Sequence, residues 1–346
     1  MLEKGDKVAV VSLSSGMLGD EEFIHKYDIA KERLEEMGLE VVAMPNALKG
    51  RKYIYEHPEA RAKDLMDAFQ DPTIKAIFTA IGGDDTIRIL PFIDFEVIKN
   101  NPKIFMGYSD TTANHLMMNK AGLVSFYGPS IMAEIAEYVK MFDYTKNAIQ
   151  NILFQDAEGY EVESSKEWTN EFIPWSEKNM NKQRTLIPET HGYETLQGSG
   201  VVTGKLLGGC IDVFPMVIGT SIWPSVEEWK DKLLLVETSE EKLTPTYLHY
   251  YLRNLGAQGI LSVIKGIIVG KPQEEVYYEE YKKVYQDVMK EFHLEDLPIL
   301  YNVNIGHSAP IGILPLGTDI QVDFDQKRII LIESPTKMKE KKFIKQ

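Results

Sequence analysis

The sequence predicts an α/β protein whose N-terminal part is built on a parallel sheet. Short apolar segments alternate with amphipathic ones in the first half of the chain, as is typical of parallel strands covered by helices. One apolar segment, residues 104–108, runs into a helical pattern through a single serine, Ser109. The second half mixes strand and helix patterns less regularly, so we expect a smaller mixed α/β domain there.

The elements of the first half follow from apolar spacing and from the residues that end each run. In order, the expected elements are strand 7–13, helix 21–37, strand 40–44, helix 58–69, strand 76–81, strand 104–108 and helix 112–121. Ligands of parallel sheets bind beyond the carboxyl ends of the strands. Three loops should therefore meet at one edge, namely residues 12–16, 82–86 and 107–111.

The second half follows a long, polar connection. Its expected elements are strand 233–236, helix 245–255, strand 263–269, helix 278–292, strand 299–304 and a hairpin of 319–324 with 328–332. A loop as long as the connection is usually functional or disordered, and its aromatic residues argue against plain disorder. We therefore predict an N-terminal nucleophile domain at 1–155, a connection at 156–200 and a C-terminal domain at 201–346.

Composition narrows the possible partners. The chain has 346 residues and a formal net charge of −14, so its surface as a whole repels nucleic acid and anionic membranes. It begins without a signal-peptide pattern, which makes a cytoplasmic location the expectation. The single cysteine, Cys210, excludes an internal disulfide and a cysteine-based metal cluster. The basic run Lys337 to Lys345 is expected to be a solvated tail.

Ser109 is the first candidate for chemistry. A serine needs a sharp, exposed turn beside a base and near backbone N–H donors to act as a nucleophile, and a strand-turn-helix provides that setting. The segment Gly107-Tyr108-Ser109-Asp110-Thr111 fits such an elbow, although a second glycine is replaced by Thr111. The alternative is that Ser109 or Asp110 only caps the following helix.

A glycine loop at 82–86, Gly-Gly-Asp-Asp-Thr, follows another predicted strand. Paired glycines let the backbone approach a ligand and point N–H groups at an anion. The loop could therefore complete an oxyanion hole, bind phosphate or be an ordinary turn. It also resembles the GGDGT loop of the NAD-kinase and diacylglycerol-kinase superfamily, so a nucleotide-phosphate-binding kinase is the alternative from another class.

A carboxylate and an imidazole complete the candidate set. Glu237 ends an apolar strand, where it could orient a histidine or belong to an acidic cluster before a helix. His307 lies in a tight loop after another strand and is the best candidate for a base, whereas His115 and His249 lie in predicted helices and are expected to be structural. No metal-ligand spacing is present, so we expect neither a metal nor another cofactor.

Taken in order, these motifs resemble one family of serine peptidases, which contains the LD-carboxypeptidases that trim murein tetrapeptides and the microcin C self-immunity proteins. The set also includes Gly204 to Gly209, GKLLGG. The resemblance implies Ser109 as nucleophile, His307 as general base and acid, and Glu237 as the group that stabilises the imidazolium. It further implies an oxyanion hole from the N–H groups of Gly83 and Asp110.

The long connection favours the immunity-like branch of that family, whose members resemble this chain in carrying a tryptophan-bearing insert. The family often has asparagine after the paired glycines, where this chain has Cys210. The candidate substrate-binding residues are Trp168, Trp175 and Asp84. The expected reaction is hydrolysis of an amide or acyl-phosphoramidate bond in an aminoacyl- or peptidyl-nucleotide, with murein-tetrapeptide trimming as the alternative. The resemblance also suggests a homodimer.

Overall fold

The computed structural model describes residues 1–336, so the basic run Lys337 to Lys345 lies outside the described residues. The α-helices are α1 His25–Glu36, α2 Gly50–Glu56, α3 Pro58–Gln70, α4 Phe95–Asn100, α5 Thr111–Ala121, α6 Asp143–Leu153, α7 Phe214–Val217, α8 Val226–Trp229, α9 Pro245–Ala257 and α10 Tyr278–Glu291. Within residues 1–336, no helix is both long and apolar enough to cross a bilayer.

The strands run from the N-terminus in the following order. They are β1 Lys7–Val11, β2 Glu40–Ala43, β3 Ile74–Thr79, β4 Ile104–Gly107, β5 Ser125–Tyr127, β6 Glu167–Trp168, β7 Ile187–Pro188, β8 Glu194–Gln197, β9 Val201–Cys210, β10 Leu233–Glu237, β11 Gly266–Gly270, β12 Ile299–Val303, β13 Leu314–Leu316, β14 Asp319–Asp323 and β15 Arg328–Leu331.

The first sheet has the strand order β13-β5-β4-β3-β1-β2. Strands β1 to β5 pair in parallel, which confirms the predicted parallel sheet. Most of their residues are buried, except on the edge strand β2, as is expected of parallel strands covered on both faces. The edge strand β13 comes from the C-terminal part of the chain and pairs antiparallel with β5.

The second sheet is mixed, as predicted, and has the order β15-β14-β9-β10-β11-β12-β8. Its centre, β9 to β12, is parallel, while β14 and β15 form the expected antiparallel hairpin. Strand β8 belongs to the long connection and pairs antiparallel with β12. The connection therefore has little regular structure, but it is anchored to the second sheet.

Several predicted bounds differ from the structure. The predicted helix 21–37 starts at His25, because the preceding residues form turns. Strand β9 is longer than its GKLLGG motif, and α6 was not predicted at all. Helix α6 has a strong apolar face, with Ile149, Ile152 and Leu153 buried, so its spacing was readable in the sequence.

The three loops predicted to converge do so beside Ser109. The amide of Ser15 donates to the carbonyl of Gly82 at 3.1 Å. The Asp110 carboxylate accepts from Ser14 Oγ at 2.5 Å and from the Thr86 amide at 2.8 Å. One side chain of the serine turn thus holds both neighbouring loops.

The two sheets meet where the serine helix begins. Cys210, at the end of β9, donates its amide N–H to Thr112 Oγ1 at 2.9 Å. A Cβ atom at Gly209 would lie 2.5 Å from that same oxygen, so only glycine allows this approach. The carboxyl ends of both parallel sheet regions therefore face a common space.

Candidate active site

Ser109 occupies a strained turn between β4 and α5. Its φ of +65° lies in the left-handed region, which non-glycine residues seldom adopt. Neither Asp110, the residue at the N-terminal end of α5, nor any other side chain caps this helix, so the capping alternative does not account for the turn. The geometry is that of a nucleophile elbow, which holds a serine hydroxyl out toward a cavity.

The glycine loop packs directly on the serine. A Cβ atom at Gly82 would lie 2.6 Å from Ser109 Oγ, so any larger residue would collide with the hydroxyl. Asp85 points away from the serine and pairs with Arg61 Nη1 at 2.6 Å and Arg88 Nη1 at 2.8 Å. The second aspartate of the loop therefore anchors it to the protein body.

Two backbone N–H groups beside the serine lack a hydrogen-bond acceptor within the described residues. Among residues 1–336, the N–H groups of Gly83 and Asp110 have no hydrogen-bond acceptor. Gly83 has a φ of +148°, and a Cβ atom there would lie 2.3 Å from Ser14 Oγ, so this position requires glycine. Paired amides next to a nucleophile can stabilise a developing oxyanion.

His307 and Glu237 come together from the second sheet. Glu237 ends β10 and is buried, and its Oε2 lies 2.7 Å from His307 Nδ1. Gly306 makes this contact possible, because a Cβ atom there would lie 2.4 Å from Oε2. The carboxylate thus fixes the ring through Nδ1 and leaves Nε2 available to another partner.

In this structure Nε2 of His307 contacts a second carboxylate. Glu240 Oε2 lies 3.1 Å from it, and no hydrogen bond joins His307 to Ser109 within the described part of the chain. Burial alone would lower the pKa of His307, but attraction to Glu237 and hydrogen bonds to Glu237 and Glu240 raise it to about 10. The imidazole is therefore held as a cation between two carboxylates.

Tyr127 connects the two halves of this arrangement. Its hydroxyl donates to Glu237 Oε1 and accepts the amide N–H of Ser109 at 3.2 Å. Burial, together with the nearby Glu237, raises the pKa of Tyr127 well above its ordinary value, so the phenol stays protonated. The tyrosine thereby ties the elbow of one sheet to the carboxylate of the other.

Ser109 and His307 line a cavity of about 410 Å³ that also contains aromatic residues of the long connection. Trp175 is half-buried and lines this cavity with the exposed Phe172, whose ring centroid lies 6.4 Å away. Trp168 is buried and packs under the ammonium of Lys271, 4.1 Å from its ring centroid. Only Trp175 of the two candidate tryptophans therefore faces the same cavity as the serine.

Asp84, the third candidate for substrate binding, is exposed and does not line that cavity. The aromatic end has two cations instead. Arg184 Nε contacts Glu137 Oε2 at 3.1 Å, and Lys26 Nζ lies 5.1 Å from the Trp175 ring centroid. Burial lowers the pKa of Lys26 to about 7, so this ammonium gives up its proton more readily than an exposed lysine.

His115 and His249 have structural partners, in line with the sequence-based expectation. His115 is buried between Ser125 Oγ and the Gly107 carbonyl, and burial lowers its pKa to about 4. His249 contacts Glu291 at 3.1 Å on the surface of α9.

One group of potential metal ligands overlaps the site. Cys210, Glu237 and His307 offer ligand atoms that lie within 4.8 Å of one another. Burial raises the pKa of the Cys210 thiol well above its ordinary value, so the thiol is protonated in this structure. The absence of a metal remains a prediction, which chelation of the purified protein tests.

Two groups of the site, Tyr127 and Glu240, were not predicted from the sequence. Tyr127 lies in an unremarkable strand, and Glu240 is one of five consecutive polar residues in a loop, 238–242. Their contacts with Glu237 and His307 span separations of 110 and 67 positions, which local periodicity does not encode. A search for polar residues near predicted strand ends would have found Glu240 but not Tyr127.

Comparison with known families gives a consistent picture. Residues 8–128 match the LD-carboxypeptidase N-terminal domain and residues 203–322 match the LD-carboxypeptidase C-terminal domain. The chain is 28% identical over 311 residues to the microcin C7 self-immunity protein MccF of Escherichia coli, covering 87% of this chain and 86% of that protein. It is 30% identical over 334 residues to a probable murein peptide carboxypeptidase of Bacillus subtilis, covering 95% and 92%.

Solved structures extend this likeness. An MccF-like protein from Streptococcus pneumoniae in complex with AMP is 36% identical, with a TM-score of 0.88 over 94% of this chain and 98% of that one. MccF in complex with aspartyl sulfamoyl adenosine is 26% identical, with a TM-score of 0.83 over 96% and 97%.

Proposed function

Because this chain belongs to the LD-carboxypeptidase family of peptidases, we propose that it is a serine hydrolase acting on aminoacyl- or peptidyl-nucleotides. The bond cleaved is an amide or acyl-phosphoramidate. The observation that carries the proposal is the shared cavity, in which an elbow serine and an aromatic surface face one ligand-sized space. A murein peptide lacks an aromatic base and would leave that surface unused.

The proposed reaction starts at Ser109. Its Oγ attacks the acyl carbon while His307 Nε2 takes the hydroxyl proton, and Glu237 stabilises the imidazolium that forms. The oxyanion accepts hydrogen bonds from the N–H groups of Gly83 and Asp110. Each of these hydrogen bonds stabilises the transition state by roughly 3–4 kcal/mol. His307 then passes the proton to the leaving nitrogen, which gives an acyl-enzyme, and water hydrolyses this ester by the reverse sequence.

Trp175 supports the nucleotide part of the proposal. Its position beside Phe172 suits stacking of a base, which contributes about 1–3 kcal/mol. The structural relatives that bind AMP and aspartyl sulfamoyl adenosine add weight, since their folds superpose on nearly the whole chain. Trimming of murein tetrapeptide is the second candidate, favoured by the family match and by the carboxypeptidase from Bacillus subtilis.

The kinase alternative has less support. The glycine loop 82–86, on which that alternative depends, packs on Ser109. Its second aspartate, Asp85, is paired with Arg61 and Arg88. Both features are compatible with an acyl-transfer site. We therefore keep the hydrolase proposal.

The test is a parallel incubation of the purified protein with a peptidyl-adenosine phosphoramidate and with a murein tetrapeptide, followed by mass spectrometry. We expect release of the nucleotide part from the first substrate and little change in the second. The Ser109→Ala protein is the matched control, because it keeps the cavity. Cleavage of the tetrapeptide alone would replace the proposed substrate class.

Assembly and location belong to the same proposal. We propose a homodimer in the cytoplasm, in line with the family resemblance. Sedimentation velocity of the purified protein checks the first point, and a monomer across the micromolar range would contradict it.

A further inference from the structure

Two hydrogen-bond acceptors, on Glu240 and Gln273, belong to residues that line the same cavity as His307. Glu240 lines the cavity with its side chain 60% exposed, and its only ionic partner within residues 1–336 is His307. Gln273 lines the same cavity, and its side-chain oxygen Oε1 is buried without a hydrogen-bond partner. A buried acceptor without a donor costs free energy unless a ligand satisfies it.

The loops that carry these acceptors are held beside each other. Ser239 donates its amide to Asp212 Oδ2 at 3.0 Å, which fixes the turn that precedes Glu240. Lys242, two positions after Glu240, pairs with Glu274 Oε2 at 2.7 Å, next to Gln273. Both acceptors therefore belong to one tethered pair of loops.

The other cations that line the cavity already have partners. The cation Arg184 is compensated by Glu137, and the ammonium of Lys26 donates to the Ala136 carbonyl at 2.7 Å and covers the ring of Tyr138. Among the described residues that line the cavity, Glu240 is thus the carboxylate whose only ionic partner is the imidazole itself.

We propose that Glu240 and Gln273 form a subsite for an ammonium group on the acyl part of the substrate, and that this site disfavours acidic acyl groups. The inference rests on the proposed function and names its acyl specificity. An ammonium has three N–H donors and one positive charge, which match a carboxylate and an amide oxygen. A carboxylate in the same place would add a third negative charge beside Glu237 and Glu240, which already share the single imidazolium of His307.

Binding of the ammonium also prepares the base. When the substrate ammonium binds the Glu240 carboxylate, His307 loses its hydrogen bond to Glu240 and gains a positive charge nearby. Both changes lower the pKa of the imidazole and favour release of the Nε2 proton to solvent. The neutral nitrogen then accepts the Ser109 proton as the Oγ–acyl bond forms. The substrate thereby displaces the contact that blocks the nitrogen in this structure.

The experiment uses adenosine phosphoramidates that differ only in the acyl group. Hexanoyl is the reference, norleucyl adds an α-amino group and 6-aminohexanoyl adds a terminal amino group, so the last two distinguish the sources of the ammonium. We expect kcat/KM for at least one amine to exceed that of hexanoyl by roughly 10- to 100-fold, the range for a hydrogen bond to a charged group. Equal values for all three would overturn the proposal.

Variants separate this specificity from catalysis itself. Glu240→Gln should remove the advantage of the amine, and Glu240→Lys should favour a 5-carboxypentanoyl group. Glu241→Gln is the control, because this exposed neighbour does not line the cavity, and it should keep the wild-type ranking. An amine preference that survives Glu240→Gln would assign it to other residues and refute the subsite.

A binding measurement keeps the two proposals distinguishable. The Ser109→Ala protein is titrated calorimetrically with non-hydrolysable hexanoyl, norleucyl and 6-aminohexanoyl sulfamoyl adenosines. Tighter binding of an amine supports the ammonium subsite even if no phosphoramidate is cleaved. Hydrolysis of all three acyl groups at equal rates, with equal binding, would keep the hydrolase and reject the subsite.

Discussion

The two ends of the Ser109 cavity are built in different ways. The end with Ser109, Glu237 and His307 is made by residues at the carboxyl ends of buried strands, cross-linked by Tyr127. The aromatic end is made by Phe172 and Trp175 of a connection with little regular structure. Rigid strand ends suit reacting groups that need fixed geometry, whereas a long loop can change to suit a different substrate.

The largest effect is expected from substitutions that remove a reacting group at the rigid end of the cavity. Changing Ser109 or His307 to alanine should each reduce kcat by about 10⁴-fold or more, and the double variant should lose little beyond that, because such groups act as a unit. Glu237→Gln should fold normally and also lose much of the rate. Steady-state kinetics with circular dichroism as a folding check measures all of these. Full activity in Ser109→Ala would refute the proposed nucleophile.

A smaller loss should follow from moving the serine without removing it. Gly82→Ala places a methyl group 2.6 Å from Ser109 Oγ, so we expect a drop in kcat of about 10²-fold, the effect of a displacement of ~1 Å. Gly312→Ala is the control, because its nearest neighbour lies at 3.4 Å and its φ is unexceptional. Unchanged kinetics in Gly82→Ala would mean that the glycine loop does not pack on a working nucleophile.

The aromatic end should respond in binding rather than in chemistry. Trp175→Ala should weaken the binding of a nucleotide substrate by roughly 5- to 150-fold. The affinity for a substrate that lacks the base should not change. Trp168→Ala should instead lower the free energy of unfolding by about 3–5 kcal/mol, since this ring is buried. Isothermal titration and urea unfolding separate the two outcomes. If Trp168→Ala weakened nucleotide binding and Trp175→Ala lowered only the free energy of unfolding, the base would instead stack on Trp168.

The smallest effect concerns pH. With the pKa of His307 at about 10, the imidazole is protonated at neutral pH, so the rate with an amine-free acyl substrate should rise as the pH increases toward 10. Glu240→Gln removes one carboxylate that raises this pKa, so the rising limb should move to lower pH. We expect roughly tenfold more activity at pH 7. A pH profile that is identical in both proteins would show that Glu240 does not control the imidazole.

The sequence predicted the rigid end better than the aromatic end. The carboxyl-end rule placed Ser109 in one of three converging loops, and strand periodicity singled out Glu237 at the end of one strand and His307 after another. Their grouping with Ser109 came from the family resemblance. The contact of Glu240 with Nε2 and the separate places of Trp168 and Trp175 depend on how loops fold over the sheets. Local spacing contains no record of such packing, and Tyr127 was missed for the same reason.

The edge strand β13 determines when the first sheet can be completed as the chain is synthesised. Residues 314–316 close the first sheet against β5, whose own residues are made nearly two hundred positions earlier. During synthesis from the N-terminus, the sheet that carries Ser109 keeps an open edge until residue 316 has emerged, after Glu237 and His307. Contacts at such long sequence separation form slowly. A nascent or truncated chain that lacks residues 314–316 therefore leaves the β5 edge of the first sheet unpaired.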